Sequence, residues 1–242
     1  MFVAFKIKTN KSEKGEINMS LIYGTDSAMP ANTRLTNGYN LYEWVMRKSC
    51  FPSFWGRSLT GERRITAEEI EFLRSKRCKI ALVIRDLNEQ EICQNDGTHS
   101  AIKAVEAAKN AGVPQNKGIA LFAYIPSEWS VNHNWMTSFA GNLLNNGYIP
   151  GFIGNTDSSK NFNFDRQCSH YVLATRNADQ LHAVYWSTEP KYNFDPDIWA
   201  SYAPSELLPK DMHLWSYGNI DFHDIHAAKV YAHDSSVMKY FL

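Results

Sequence analysis

Short apolar segments alternate with segments of helical periodicity along most of this chain, and this alternation constrains the fold more than any other feature. Each apolar segment ends in a polar or glycine-containing turn. The predicted strands are Met19–Tyr23, Ser53–Arg57, Lys79–Ile84, Ile119–Ile125, Ile149–Gly154, His182–Trp186, His213–Tyr217 and a segment near Ile220–Ile225. They are nearly continuous in apolar residues, as is typical of parallel strands that are covered on both faces.

A repeated strand–helix–strand order predicts a parallel sheet, and about eight strands in a chain of 242 residues predict a closed (β/α)8 barrel. A doubly wound open sheet is the alternative, and it is disfavoured because no glycine-rich nucleotide-binding loop follows any strand. We therefore expect one α/β barrel over residues 19–242. Residues 1–18 are more polar and are expected to be an N-terminal extension, with an extra strand or hairpin.

The predicted helix after the second strand has the clearest start signal in the chain. Thr66 stands at the N-cap and Glu69 at the third helical position, which is the spacing of a capping box. A second helix, over residues 100–111, is predicted to end at Gly112 and Pro114.

Composition excludes some classes of protein. The 25 basic and 25 acidic residues balance, so the basic excess of a nucleic-acid-binding protein is absent. The longest apolar run, Ile119–Ile125, has about seven residues, whereas a membrane-spanning helix needs about 20. Apolar residues precede charged ones at the N-terminus, the reverse of a signal peptide, so we expect a cytoplasmic protein or one released to act on a cell wall.

The four cysteines show no C-x-x-C spacing, so the expectation is free buried thiols rather than a zinc or redox site. No cofactor is predicted from any motif. We expect a monomer.

Several segments, in their order along the chain, resemble one family of barrel proteins. They are the Gly24-Thr25-Asp26 end of the first strand, residues 54–59 with their Gly-Arg pair, residues 64–69, residues 111–114, residues 147–154, residues 215–217 and residues 223–226. Together they resemble the glycoside-hydrolase-like domain of unknown function, which is related to the barrel-type N-acetylmuramidase lysozymes. The resemblance implies an (α/β) barrel that hydrolyses a cell-wall glycan such as peptidoglycan.

Glycoside hydrolysis usually needs two carboxyl groups that flank the scissile bond, and barrel enzymes hold such groups at the C-terminal ends of strands. The acids at or shortly after predicted strand ends are Asp26, Asp86, Glu128, Asp157, Glu189 and Asp224. Asp26 is the first candidate, because its position and the family's G-x-D motif both indicate it. A turn or helix-capping aspartate is the alternative for this residue.

The fourth strand departs from the family pattern. The lysozyme relatives carry an acidic D-x-E pair at its end, and Tyr124 stands near the place of the first acid here. Glu128 is the nearest carboxylate, and it is interpreted either as the proton donor or as a solvated residue that favours a helix N-terminus. This departure leaves open whether the protein hydrolyses a glycan or only binds one.

Asp224 matches the acid of the family's closing strand and is the third catalytic candidate, with a structural strand-end role as the alternative. If residues 221–226 form one strand, Asp224 shares a face with His226, while Asp221 and His223 point the other way. That split disfavours a metal site built from these four residues.

Aromatic rings and one arginine complete the predicted substrate site. Sugars stack on aromatic planes, so the rings near strand ends are candidate sugar-binding residues: Tyr124, Trp129, Trp186, Trp215 and Tyr217. Packing in the core is the alternative for each. Arg57 is predicted to hold a carboxylate, either of a muramic lactyl group or of Asp26, with a plain salt bridge as the alternative.

Two main functions follow. The first is a glycosidase that cuts a cell-wall-type glycan through Asp26 and Glu128. The second is a barrel that binds the glycan after losing the fourth-strand acid. A barrel hydrolase with an unrelated substrate is a weaker third reading, since a fold permits a chemistry without establishing it.

Overall fold

The computed structural model describes residues 22–48, 50–156, 163–176, 182–188, 212–232 and 235–242. The predicted N-terminal extension, residues 1–18, lies outside this set.

Eight strands form a closed barrel in which each strand pairs with its neighbours in the chain and the last pairs with the first. They are β1 Ile22–Ser27, β2 Phe54–Ser58, β3 Lys79–Ile84, β4 Ala120–Tyr124, β5 Ile149–Gly154, β6 Val184–Ser187, β7 Leu214–Phe222 and β8 Ile225–Ala232. Neighbouring strands from β1 to β7 pair in parallel, whereas β8 pairs antiparallel with both β7 and β1. The prediction of a closed eight-stranded α/β barrel is confirmed.

Helices connect the first six strands. They are α1 Leu41–Arg47, α2 Ala67–Ser75, α3 Glu89–Ile92, α4 Thr98–Asn110, α5 His133–Asn145 and α6 Asn163–Thr175. A 3₁₀ helix over Ser235–Tyr240 follows β8. No helix in the described ranges is long and apolar enough to cross a membrane.

The closing strands depart from the predicted repeat. The eighth strand predicted near Ile220–Ile225 is wrong, because β7 extends to Phe222 and the chain then turns through His223 and Asp224 into β8. His223 adopts a φ of 52°, the left-handed conformation that tight turns require. A hairpin needs no helix between its strands, and none separates β7 from β8.

Side chains inside the barrel form a separate hydrophobic cluster from those outside it. Inward residues include Phe54, Phe122 and Trp186, while Val237 and Phe241 after β8 pack into the same cluster. The backbone groups of Ile80 and Leu242 exchange hydrogen bonds of 3.0 and 2.9 Å. The C-terminal segment therefore closes the end of the barrel where the parallel strands begin, and the C-terminal ends of those strands form the other end, which we call the mouth.

In the outer layer, α2 is joined to the end of β2 by polar contacts. Thr66 caps α2 as predicted, since its hydroxyl accepts a hydrogen bond from the Glu69 backbone N–H. The Glu69 carboxylate does not complete the capping box. Its Oε1 atom accepts instead from Arg57 Nε at 2.6 Å and from the backbone N–H of Ala31 at 2.7 Å, so it joins α2 to the barrel wall.

All four cysteines are free thiols. Cys50, Cys78 and Cys168 are buried as predicted, whereas Cys93 is exposed. Burial raises the pKa of the Cys78 thiol to about 12, with a further contribution from nearby Cys50. A thiol with so high a pKa is inert as a nucleophile at neutral pH.

Candidate functional site

Strand alternation brings two polar side chains, Arg85 and Tyr124, to the mouth. Successive residues of a strand point to opposite faces, so the residue two positions after an inward one also points inward. On β3, Ala81 and Val83 belong to the interior cluster, and Arg85 continues that row just past the strand end. On β4, Phe122 is followed in the same way by Tyr124.

Asp26 and Arg85 form an ion pair at this level. Arg85 Nη2 donates to Asp26 Oδ1, and the two side chains are 22% and 17% exposed. The guanidinium carbon of Arg85 lies 5.4 Å from the ring centroid of Tyr124, within the range of a cation–π contact. The three groups therefore form a polar cluster that retains access to solvent, which we call the mouth cluster.

The pKa of the Tyr124 phenol depends on burial and on the charges around it. Desolvation by burial raises the pKa of its phenol, and the charge of Arg85 acts in the opposite direction. Asp26 and Glu128 both raise the pKa further. A raised pKa keeps the phenol protonated, so Tyr124 is a hydrogen-bond donor rather than a phenolate nucleophile at neutral pH.

The floor beneath the mouth cluster is Trp186. It is 1% exposed, its indole Nε1 donates to Ser216 Oγ at 3.1 Å, and its ring meets Phe122 edge-on at 5.8 Å. Gly56 faces both Asp26 and this ring, and a Cβ at position 56 would lie 3.0 Å from Trp186 Cη2 and in contact with the Asp26 carboxylate. Glycine at position 56 therefore leaves the space that the Asp26 side chain occupies.

Glu128 lies in the turn after β4 and is exposed. Its electrostatic effect on Tyr124 associates it with the mouth cluster. Trp129, next along the chain, is partly buried and packs against the outer hydrophobic cluster. Only part of its ring is left for a ligand.

Arg57 lies on the other side of the sheet from the mouth cluster. Its side chain is 0% exposed and pairs with Glu69, and it also donates to the backbone carbonyls of Ser27, Ala28 and Arg63 at 2.8 to 3.0 Å. The prediction that Arg57 binds Asp26 is therefore wrong, and a buried residue offers no route to a substrate carboxylate. The alternative of a plain salt bridge is what is observed.

Three of the predicted sugar-stacking rings are core residues. Trp186 fills the barrel interior, while Trp215 and Tyr217 are buried in the outer cluster. Both lie in the outer cluster because β7 points alternate residues outward. Burial raises the pKa of the Tyr217 phenol, with smaller contributions from Cys50 and Tyr23. None of the three presents a ring face at the mouth.

Asp224 lies in the turn between β7 and β8 and is exposed. Asp26 pairs with Ala228 in the β1–β8 register. Asp224 precedes Ala228 by four residues, which corresponds to about 13 Å at the rise of a strand. The hairpin also rests on α1, since Phe222 meets Trp44 edge-on at 5.2 Å and Trp44 Nε1 donates to the Asp221 carbonyl. This places Asp224 away from the mouth cluster.

Asp224 and His226 were predicted to share one face of a strand, with Asp221 and His223 on the other face. This prediction is also wrong. Asp221 and His226 are register partners across the hairpin, and His226 Nδ1 lies 2.8 Å from Asp221 Oδ1. The single strand assumed from the sequence is interrupted by the turn. In the part of the chain that the structure describes, no three His, Cys, Asp or Glu side chains are grouped as metal ligands.

The other strand-end acids do not join the mouth cluster in the described residues. Asp86 is exposed and accepts a hydrogen bond from the Thr60 hydroxyl. It borders a groove of about 540 Å³ between α2 and α4, outside the barrel, with Arg64, Lys103 and Glu106. Asp157 and Glu189 lie outside the described residues.

Arg85 is the mouth residue that the sequence analysis missed. Arg85 directly follows the predicted third strand, Lys79–Ile84, but only the next residue, Asp86, is a candidate from the sequence. The alternation of side-chain direction along β3 could have indicated Arg85, because Ala81 and Val83 are small apolar residues that suit an inward row ending at position 85.

The comparisons with known proteins concern the fold and not the function. No protein-family model matches the chain, and no curated protein matches it. An uncharacterised protein of B. stearothermophilus, solved at 1.07 Å, superposes with a TM-score of 0.71 and 23% identity, over 91% of this chain and all of that one. The Tat-secreted protein Rv2525c of Mycobacterium tuberculosis, crystallised with HEPES and with L-tartrate, gives TM-scores of 0.53 and 0.52 at 14% identity. Those two matches cover 86% and 87% of this chain, and 93% and 95% of theirs.

Proposed function

We propose that the protein is a glycoside-hydrolase-like barrel that binds a cell-wall-type glycan such as peptidoglycan at its mouth and hydrolyses it through Asp26 and Glu128. The observation that supports this proposal is the mouth cluster itself, in which Asp26, Arg85 and Tyr124 meet at the ends of β1, β3 and β4, with Glu128 in the turn after β4. Two carboxyl groups that flank the scissile bond are what hydrolysis of a glycosidic bond usually requires.

The environments of the two carboxylates suggest different roles. Asp26 is ion-paired with Arg85, which holds its carboxylate in place at the mouth, and we assign it the role of nucleophile or base. Glu128 is exposed in the turn after β4, and we assign it the role of the acid. Tyr124, which is protonated, is placed to donate a hydrogen bond to a sugar hydroxyl or to the leaving oxygen.

A second function, glycan binding without hydrolysis, is supported by one specific observation. The inward position at the end of β4, where the lysozyme relatives carry an acid, holds Tyr124, and Glu128 is four residues further along in a turn.

Release of reducing sugar from purified peptidoglycan tests the proposal. We expect the unmodified protein to release sugar and Asp26→Asn to lower the rate by about 10²- to 10⁴-fold, the usual contribution of a positioned acid or base. Glu128→Gln should lower it to a similar degree. Glu71→Gln, on the exposed face of α2, is the matched control and should leave the rate unchanged.

The same samples separate the two functions by co-sedimentation with the peptidoglycan. Protein that sediments with the glycan but releases no sugar would replace hydrolysis by binding. Protein that neither sediments nor releases sugar would overturn the glycan assignment itself.

A further inference from the structure

A second pocket, of about 550 Å³, lies outside the barrel between the loop before α1, α1 itself and the end of α2. It shares no lining residue with the mouth cluster. Its volume is within the range of small-molecule sites, about 300–1,000 Å³. We call it the basic pocket, because its charged lining residues are Arg34, Arg47, Lys76 and Glu43.

The three cations of the basic pocket come from three separate segments of the chain. Arg34 lies in the loop before α1, where it forms a β-bridge with Asn40. Arg47 is the last residue of α1, and Lys76 directly follows α2. Cations at the C-terminal end of a helix stabilise that helix, which accounts for Arg47 and Lys76 one at a time. It does not account for Arg34, or for the presence of all three in one pocket.

The positive charge of the basic pocket is not balanced by its own lining. None of the three cations is ion-paired with another residue that the structure describes. Glu43 is the one carboxylate of the lining, and its Oε2 atom accepts the backbone N–H of Asn40 at 2.9 Å. Three positive charges and one negative charge leave an excess of two, which attracts an anion.

Aromatic rings hold two of the cations in place. The guanidinium carbon of Arg47 lies 4.7 Å from the ring centroid of Tyr39. Lys76 Nζ lies 5.5 Å from the ring centroid of Phe72 and 6.0 Å from that of Tyr42. These distances are within the range of cation–π contacts. Such contacts restrict the side chains but do not neutralise their charge.

The loop that carries Arg34 is a short closed turn. The Leu35 N–H donates to the Tyr39 carbonyl at 2.8 Å, and the Gly38 N–H donates to the Leu35 carbonyl at 3.1 Å. Gly38 has a φ of 90°, which glycine adopts without steric cost. These hydrogen bonds order the backbone before any ligand arrives, and such preorganisation lowers the cost of binding.

We propose that the basic pocket binds a phosphate monoester. At neutral pH this group carries a charge of about −1.5 to −2, which matches the excess of two positive charges. Arginine binds phosphate with two parallel hydrogen bonds, and lysine binds it as a point charge. Tyr39, Tyr42 and Met46 give the pocket an apolar wall for the organic part of the ester. The proposal is independent of the function proposed for the mouth.

Calorimetric titration with phenyl phosphate, phenyl sulfate and inorganic phosphate tests this proposal. Phenyl sulfate has the same ring and a tetrahedral head group, but it carries only one negative charge. Inorganic phosphate lacks the ring. We expect phenyl phosphate to bind about 10-fold more tightly than either, because phenyl sulfate loses one Coulombic interaction and inorganic phosphate loses the apolar contact.

Substitution of the arginines locates the binding site. Arg34→Gln and Arg47→Gln should each weaken phenyl phosphate binding by about 10-fold, as expected for the loss of a hydrogen bond between charged groups. Both arginines are exposed, so neither change disturbs the core. Arg74→Gln is the matched control. It removes an exposed cation of α2 that pairs with Glu71 and does not line the pocket, so the affinity should stay unchanged.

Four results would overturn the proposal. Equal affinity for phenyl phosphate and phenyl sulfate would indicate attraction of any anion. Inorganic phosphate that binds as tightly as phenyl phosphate would exclude an ester as the preferred ligand. Failure of phenyl phosphate to bind would exclude the site itself. Binding that Arg34→Gln and Arg47→Gln leave unchanged, or that Arg85→Met abolishes, would place the phosphate elsewhere. None of these results bears on glycan hydrolysis at the mouth.

Discussion

Two arginines near the ends of adjacent strands have opposite environments in this barrel. Arg57, on β2, faces the outer layer, is 0% exposed and uses four of its five N–H donors on Glu69 and three backbone carbonyls. Arg85, just after β3, faces the mouth, is 22% exposed and uses one donor on Asp26. Both arginines pair with a carboxylate, yet Arg85 leaves most of its N–H donors unused among the described residues.

The difference separates a structural ion pair from a candidate functional one. A buried charge must have its hydrogen bonds satisfied by the protein, because water cannot supply them. The Arg57 guanidinium meets this requirement, because it donates hydrogen bonds to the end of β1, to the loop before α2 and to Glu69 on α2. The Arg85–Asp26 pair does not, because Arg85 makes one hydrogen bond to Asp26 and its buried Nε has no partner, so part of its hydrogen-bonding capacity is unused.

The largest effect is expected from breaking the buried pair. Arg57→Met leaves the Glu69 carboxylate buried without its cation and removes the donor to three carbonyls, so the free energy of unfolding should fall by about 3–5 kcal/mol. Urea denaturation followed by circular dichroism measures this loss. Arg74→Met breaks the exposed pair with Glu71, where the side chains are 53% and 72% exposed, and should cost about 0–1 kcal/mol. Similar losses for the two variants would contradict the structural role of Arg57.

An intermediate effect is expected at the glycine beneath Asp26. In Gly56→Ala the new methyl group meets the Asp26 carboxylate and lies 3.0 Å from Trp186, so the mouth must shift and stability should fall by about 1–3 kcal/mol. Gly141→Ala is the matched control, because nothing lies within 4 Å of its added Cβ in α5. There, helix propensity should raise stability by about 0.5–1 kcal/mol. Thermal denaturation of both variants checks the opposite signs, and a stabilised Gly56→Ala would show that the mouth is not tightly packed.

The smallest effect on stability is expected from breaking the mouth pair. Arg85→Met should change the free energy of unfolding by about 1 kcal/mol or less, because the pair is partly solvated and the arginine makes one hydrogen bond. The same urea titration as for Arg57→Met gives the comparison directly. A loss as large as that of Arg57→Met would show that Arg85 holds the fold together, and its open donors would then have no functional meaning.

Much of the architecture was predictable because it depends on local patterns. Seven of the eight strands were located from apolar runs, and the Thr66 cap of α2 was located from its side chain type and position. The hairpin of β7 and β8 was not, since the apolar residues of 214–222 and 225–232 give no sign of strand direction. The direction depends on the turn at His223, whose left-handed conformation is uncommon for a residue other than glycine.

The candidate site was predicted less completely than the fold. Asp26 and Tyr124 were identified from their positions at strand ends, whereas Trp215 and Tyr217 were assigned to the substrate although their parity on β7 places them in the outer cluster. Arg57 was predicted as the arginine of the site, and Arg85 was missed, for the same reason. Both follow strands closely, and only the inward or outward parity of each strand distinguishes them.

The sequence by itself determined that eight short strands close into an α/β barrel and that a carboxylate stands at the end of the first one, because apolar periodicity and strand-end position are properties of neighbouring residues. Only the tertiary structure decided which charges meet. Glu69, placed by the sequence in a capping box, pairs with Arg57 across the outer layer, and Asp26 pairs with Arg85 across the mouth, 59 residues away in the chain. Such pairings depend on barrel closure and strand register, which bring distant residues to one face and which no local pattern contains.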